Sequence, residues 1–231
     1  MGKTLTLTAP DGHKLSAYRA DTPDTVNRGK PKGGLVVIQE IFGVNKHMRE
    51  VCDGFAKDGY ASLAPALFDR AEPGVELGYE AADIEAGRAL RGKIEWPEVL
   101  KDVAAAIKAV SDAGPVGIVG YCWGGSVAWR AATQLGGLAA AVGYYGGQIA
   151  PFKDETPKCP VMLHFGETDS SIPLADVQAI KKAQPKVPVF LYPAGHGFSC
   201  DQRASFDRES HELARTRTLE FFARNLVSAK R

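Results

Sequence analysis

The sequence predicts an α/β protein with a mostly parallel sheet, helices on both faces of that sheet and a β-hairpin at the N-terminus. Two observations carry this prediction. Short apolar runs, such as residues 35–38, have the composition of strands that are buried on both faces. These runs alternate with segments of helical periodicity, which is the pattern of βαβ units. A chain of 231 residues can bury one large core, and we expect residues 1–231 to form a single domain.

The predicted elements follow in order along the chain. Residues 4–8 and 14–20 alternate on either side of the turn signal Pro10-Asp11-Gly12, which predicts the hairpin. Apolar runs predict the remaining strands at 35–38, 60–63, 116–119, 139–144, 161–165 and 187–192. Helical spacing predicts helices at 46–58, 80–92, 97–111, 124–135, 174–183 and about 204–227.

Composition excludes several classes of function. The formal net charge is +1, so the chain has no field that would gather nucleic acid or anionic lipid. There is no apolar run of the length that a membrane span needs and no secretory signal, so we expect a cytoplasmic protein without membrane contact. The four cysteines are scattered, without a C-x-x-C pair, which argues against a zinc site or a disulfide framework. We expect no metal, no cofactor and a monomer.

The sharpest motif is Gly120-Tyr121-Cys122-Trp123-Gly124, between a predicted strand and a predicted helix. This is where α/β-hydrolases carry G-x-S-x-G, so the motif predicts an α/β-hydrolase fold with Cys122 as the nucleophile. The glycines leave room for an abrupt strand-to-helix turn. The N-terminus of the following helix favours a thiolate and an oxyanion. The alternative is a structural cysteine in a glycine-rich turn.

The chain order of nucleophile, acid and histidine in this fold indicates the other catalytic residues. Asp169 follows the strand predicted at 161–165, and the carboxyl end of a parallel strand is where α/β sheets bind ligands. His196 lies between two glycines after the strand predicted at 187–192. We therefore expect Asp169 to orient His196. Glu167 and, less favoured because it lies within a helical stretch, Asp176 are the rival acids.

Glu40 ends an otherwise apolar strand, where a carboxylate is costly unless it has a role or a partner. The loop after this strand supplies one oxyanion-hole N–H in the α/β-hydrolase fold. We expect the N–H groups of Ile41 and Trp123 to bind the oxyanion, with Glu40 close to Cys122. A salt bridge with a surface basic residue is the alternative role of Glu40.

The chain resembles the dienelactone hydrolase (carboxymethylenebutenolidase) family from about residue 3 to residue 227. The resemblance is carried by five ordered motifs, at residues 39–45, 120–125, 142–146, 164–169 and 194–198. It implies a triad of Cys122, His196 and Asp169. It also implies that Glu40 helps to generate the thiolate when substrate arrives.

The chain departs from this family after the triad histidine. Some relatives have a serine directly after it and an arginine shortly beyond, both of which bind the substrate carboxylate. Here Gly197 follows His196, and the first arginine is Arg203, which we expect in the carboxylate role. Arg70, Arg88 and Arg91 are the candidates for a second arginine. Tyr145, Phe42, Trp123 and Phe198 are expected to line the pocket, with burial in the core as the alternative.

These observations predict a cysteine-dependent hydrolase that opens a small ester or lactone through a thioester. The resemblance implies hydrolysis of dienelactone to maleylacetate in aromatic-compound degradation. The alternatives are a general carboxylesterase or thioesterase on the same fold, and a non-catalytic relative that binds a small ligand. A redox role for Cys122 is a further alternative, weakened by the lack of an evident resolving cysteine.

Overall fold

The computed structural model of the chain describes residues 2–226, and within them eight strands form one sheet. The strand order across the sheet is β1-β2-β4-β3-β5-β6-β7-β8. The strands are β1 (Lys3–Thr8), β2 (Lys14–Ala20), β3 (Gly34–Ile38), β4 (Ala61–Pro65), β5 (Val116–Tyr121), β6 (Leu138–Tyr144), β7 (Val161–Gly166) and β8 (Val189–Tyr192).

Strand direction divides the sheet into two parts. The hairpin strands β1 and β2 are antiparallel to each other, and β2 is antiparallel to β4. All pairs from β4 to β8 are parallel. Strands β3, β4, β5 and β7 are buried along their whole length, as expected for parallel strands that are covered on both faces.

Six α-helices lie among the described residues. They are α1 (Lys46–Lys57), α2 (Ala81–Arg91), α3 (Trp96–Val110), α4 (Trp123–Gln134), α5 (Leu174–Ala183) and α6 (Arg208–Asn225). Gly34 of β3 lies against Val110 of α3, whereas Gly117 of β5 lies against Phe222 of α6. Gly117 pairs with Leu35, the neighbour of Gly34, so these contacts are on opposite faces of the sheet. The predicted two-sided α/β architecture with its N-terminal hairpin is confirmed.

Several element boundaries differ from the sequence prediction, and two of these differences have a clear cause in the structure. Helix α6 begins at Arg208 instead of about 204, because the side chain of Asp207 accepts a hydrogen bond from the N–H of Ser210 and caps the helix there. Residue 227, the predicted end of this helix, lies outside the described residues. Strand β8 begins at Val189 instead of 187, because the N–H of Val187 closes a turn onto the carbonyl of Gln184.

The parallel part of the sheet brings distant segments to one edge. The carboxyl ends of β3, β5, β7 and β8 are followed, within four residues, by Glu40, Cys122, Asp169 and His196 respectively. In an open α/β sheet this edge is where ligands bind. No helix among residues 2–226 is long and apolar enough to cross a membrane.

Candidate active site

Cys122 occupies a strained turn between β5 and α4. Its backbone has φ 56° and ψ −119°, a conformation that non-glycine residues rarely adopt. The residue is held there because its N–H donates a 3.0 Å hydrogen bond to the carbonyl of Tyr144 on the neighbouring strand. Cys122 is half-buried and is the N-cap residue of α4, so its thiol lies beside the positive end of the helix dipole.

The two outer glycines of the motif are required by close packing. A β-carbon on Gly120 would overlap the carbonyl of Gly124, and a β-carbon on Gly124 would meet the carbonyls of Ile38 and Gln39. The start of α4 therefore packs backbone to backbone against β3 and β5. This contact fixes the position of the cysteine relative to the loop that follows β3.

His196 and Asp169 meet across the sheet edge, as the sequence predicted. Nδ1 of His196 lies 2.7 Å from Oδ2 of Asp169, whose side chain is fully buried. The second carboxylate oxygen of Asp169 accepts a 2.8 Å hydrogen bond from the N–H of Ser171, which holds the carboxylate in place. The rival acid Glu167 is exposed, and Asp176 lies within α5.

The surroundings of His196 favour its charged form. Burial lowers the pKa of this imidazole, but the charge of Cys122 and the hydrogen bond with Asp169 act in the opposite direction and outweigh it. Together with a hydrogen bond to Cys122 they raise the pKa of His196 to about 10. The imidazole is thus hydrogen-bonded to the Asp169 carboxylate and lines the same cavity as the Cys122 thiol.

The two amides expected to bind an oxyanion are placed at the pocket. Ile41 and Trp123 both line the cavity into which Cys122 opens. Trp123 is the first residue of α4, where a backbone N–H has no acceptor within its own helix. The Ile41 segment is fixed by α2, because the carbonyl of Ile41 packs directly on the α-carbon of Gly87.

Glu40 is buried and forms an ion pair with Arg203. Nη1 of Arg203 lies 3.2 Å from Oε1 of Glu40, and the Arg203 side chain is only 16% exposed. Burial lowers the pKa of Arg203, but the negative charges around it, with that of Glu40 the largest, together outweigh burial and raise the pKa. The sequence did not specify the ion-pair partner of Glu40. That partner is Arg203, which lines the pocket and does not lie on the outer surface.

The cavity at Cys122 has a volume of about 470 Å³ and is rich in arginine. Its lining residues include Cys122, His196, Phe42, Arg88, Arg91 and Arg203. Arg91 donates a 2.7 Å hydrogen bond to Gln148, while Arg88 makes no ion pair within residues 2–226. An anionic group entering this cavity would meet three guanidinium groups, of which Arg88 is the least engaged.

Two of the predicted pocket residues do not line the cavity. Tyr145 and Phe198 are completely buried, and their rings pack on each other with centroids 5.3 Å apart. Both belong to the aromatic core beneath the site, which was the alternative for these residues. Arg70 does not line the cavity either. Its guanidinium forms a bidentate ion pair with Asp102, in which Nη2 lies 2.7 Å from Oδ1 and Nε lies 2.8 Å from Oδ2.

Sequence reasoning missed several residues of the cavity. Ile84 comes from α2, Ser126 from α4, Gln148 from the loop after β6, and Ser170 and Ile172 from the loop after β7. The signal for the last three was available, since they follow the carboxyl ends of parallel strands as the triad residues do. Within residues 2–226, no group of three or more histidine, cysteine or acidic side chains is arranged to hold a metal ion.

Comparison with known proteins agrees with this geometry. A sequence model described as the dienelactone hydrolase family matches residues 16–226. A Synechocystis sp. protein named "Putative carboxymethylenebutenolidase" is 38% identical over 245 residues, covering 97% of this chain and 98% of the relative. A "Carboxymethylenebutenolidase" of Pseudomonas putida is 31% identical over 242 residues, covering 95% of each chain.

A solved structure extends the similarity to three dimensions. The crystal structure of a "Putative Dienelactone Hydrolase" from Klebsiella pneumoniae superposes with a TM-score of 0.82 at 29% identity, covering 96% of this chain and 99% of the other. The protein is thus an α/β-hydrolase, an enzyme of the carboxylic ester hydrolase class. Within that class the chain belongs to the dienelactone hydrolase family.

Proposed function

We propose that this enzyme hydrolyses small esters or lactones that carry a carboxylate, with Cys122 as the nucleophile and a thioester as the intermediate. The observation that carries the proposal is the hydrogen-bonded Asp169–His196 pair beside Cys122, opening into a cavity lined by three arginines. The substrate that fits this description and the family name is a dienelactone, opened to maleylacetate in the degradation of aromatic compounds.

The first half of the reaction forms the thioester. The thiolate of Cys122 attacks the substrate carbonyl carbon, and the carbonyl oxygen becomes an oxyanion bound by the N–H groups of Ile41 and Trp123. One such donor typically contributes about 10²–10³ in rate. As the tetrahedral intermediate collapses, the C–O bond breaks and His196 gives its proton to the leaving oxygen.

The second half releases the acid. The sulfur of the thioester is uncharged, so the charge that helped to raise the pKa of His196 is gone. His196 can then accept a proton from water, which attacks the thioester carbonyl, while Asp169 holds the imidazole in place. Collapse of this second tetrahedral intermediate returns the thiolate and the imidazolium. A thiolate suits activated leaving groups such as enolates, which favours esters over amides.

The substrate carboxylate can promote deprotonation of the Cys122 thiol through the ion pair of Glu40 and Arg203. Arg203 lines the cavity and is bound to Glu40 when no anion is present. An anionic substrate competes with Glu40 for the guanidinium. Glu40 is then a buried carboxylate without its counter-ion, which is costly, and it can take the proton of the Cys122 thiol.

The experiment is hydrolysis of cis-dienelactone, followed by the loss of its ultraviolet absorbance, beside hydrolysis of 4-nitrophenyl acetate. We expect Cys122→Ala to lose at least about a thousandfold in rate with both substrates. Cys159→Ala is the matched control, because Cys159 is half-buried before β7 at the other end of the sheet. Activity that survives in Cys122→Ala would refute the cysteine mechanism. Cleavage of the nitrophenyl ester alone would leave a general carboxylesterase.

A further inference from the structure

The hydroxyl of Tyr145 is a buried donor without a partner. Tyr145 is completely buried, and its Oη makes no hydrogen bond with any atom of residues 2–226. A buried hydroxyl left unpaired is destabilising, because it has lost its hydrogen bonds with water. The neighbouring Tyr144 is equally buried, but its hydroxyl lies 2.6 Å from Oγ1 of Thr218. Of these two adjacent buried tyrosines, only Tyr145 has a hydroxyl without a partner among the described residues.

The ring of Tyr145 packs against the ring of the catalytic histidine. Tyr145 follows the carboxyl end of β6, with a positive φ of 38°, and its N–H donates a 2.7 Å hydrogen bond to the carbonyl of His164. Its ring centroid lies 5.1 Å from that of His196. Backbone strain and a tight hydrogen bond thus hold the ring against the catalytic imidazole, so the hydroxyl has a fixed direction.

The ring of Tyr145 packs close to the pair of Arg203 and Glu40. Its centroid lies 5.3 Å from that of Phe198, and the guanidinium of Arg203 lies against Gly197, the residue before Phe198. Burial, and after it the charge of Glu40, raise the pKa of Tyr145 well above its ordinary value, so the hydroxyl remains a donor throughout the working pH range. The charge of Cys122 also raises the pKa of Tyr145. Cys200 is completely buried, and burial raises the pKa of its thiol to about 12, so this thiol is not an anionic acceptor. Glu40 is paired with the guanidinium of Arg203, so it is the carboxylate beside Tyr145 that can accept a hydrogen bond from the hydroxyl.

We propose that Tyr145 is a positioning residue whose hydroxyl donates a hydrogen bond to the Glu40 carboxylate once an anionic substrate has drawn Arg203 away. In the substrate-free enzyme Glu40 is bound to Arg203 and the hydroxyl has no partner. In the substrate complex the hydroxyl replaces Arg203 as the donor and holds the buried Glu40 carboxylate in place. The inference rests on the proposed function, because it requires a substrate carboxylate that competes for Arg203.

The test compares two esters of similar size, 4-nitrophenyl hydrogen succinate, which is anionic, and 4-nitrophenyl butyrate, which is neutral. Only the anionic ester recruits Arg203, so Tyr145→Phe lowers the ratio of the two kcat values about tenfold or more, the effect of one hydrogen bond to a charged group. KM for the succinate ester stays at the wild-type value. The Tm of the substrate-free variant equals or exceeds that of the wild type, because the lost hydroxyl had no partner.

Tyr144→Phe is the matched control, since it removes the neighbouring hydroxyl that is bonded to Thr218. It lowers Tm and leaves the kcat ratio at the wild-type value. The inference is overturned if Tyr145→Phe keeps the wild-type ratio, slows both esters equally or loses Tm as Tyr144→Phe does. Wild-type protein that cleaves the succinate ester no faster than Cys122→Ala would overturn the proposed function itself, and this inference with it.

Discussion

The guanidinium of Arg203 lies against the α-carbon of Gly197, in the space that a β-carbon at position 197 would fill. Gly197 also has a positive φ of 77°. The residue directly after the triad histidine thus makes room for an arginine seven positions beyond that histidine. The position of Arg203 therefore depends on glycine at position 197. In the sequence, these two residues were only two separate departures from the family pattern.

We predict that Gly197→Ala breaks the ion pair of Arg203 with Glu40. The new methyl group displaces the guanidinium, so kcat/KM for 4-nitrophenyl hydrogen succinate falls about tenfold or more relative to the neutral butyrate ester. Gly12→Ala is the control, because Gly12 has a similar φ of 87° but nothing within 4 Å of a β-carbon. Both variants lose about 1–2 kcal/mol of stability to the left-handed backbone, and only Gly197→Ala changes the substrate ratio. If the ratio of kcat/KM for the succinate ester to that for the butyrate ester is the same in both variants, the predicted loss of the ion pair is wrong.

We predict that activity persists to alkaline pH and falls as the pH rises through about 10. The pKa of His196 is raised from 6.5 to about 10, so the imidazole keeps the proton that the leaving oxygen needs. The stability that this raised pKa contributes is complete below pH 6.5 and is lost as the pH rises through 10. Asp169→Asn removes one cause of the shift and moves the alkaline limb of the kcat/KM profile to lower pH. An unmoved limb in this variant would mean that another group titrates.

We predict that Arg88 binds the substrate carboxylate in its initial encounter. Arg88 lines the cavity and makes no ion pair among the described residues, so its guanidinium needs no release before it binds an anion. Arg88→Gln raises KM for the succinate ester about tenfold and leaves KM for the butyrate ester unchanged. Arg208→Gln, which removes an exposed arginine of α6, leaves both values unchanged. Steady-state kinetics of the two variants, each with the two esters, measure these KM values.

The fold and the placement of the reacting groups could be read from the sequence because both depend on local pattern and chain order. Apolar runs set the strands, and each strand end carries the next segment to the same sheet edge. For this reason Cys122, Asp169 and His196 could be assigned to one place before any distance was known. Their catalytic roles remain predictions until the variants are measured.

The rest depended on tertiary packing that no local pattern encodes. Arg88 and Arg70 have the same chemistry in the sequence, yet one lines the cavity and the other is paired with a buried carboxylate. Tyr145 and Phe198 follow strand ends, as pocket residues do, but their rings turn inward. The direction of a side chain at a strand end depends on the backbone twist there, such as the positive φ of Tyr145.

We predict that Arg70→Met destabilises the fold by about 3–5 kcal/mol, the usual result of leaving a buried charge unpaired. The guanidinium meets both carboxylate oxygens of Asp102, whose side chain is fully buried on α3. Burial raises the pKa of Asp102, and loss of Arg70 raises it further, so the deficit shrinks as the pH falls and the carboxyl takes up a proton. Urea unfolding at pH 7 and pH 5 measures both effects, with the exposed Arg224→Met as the control. A loss below about 1 kcal/mol at pH 7, or a deficit that is the same at both values, would show that Arg70 does not compensate the charge of Asp102.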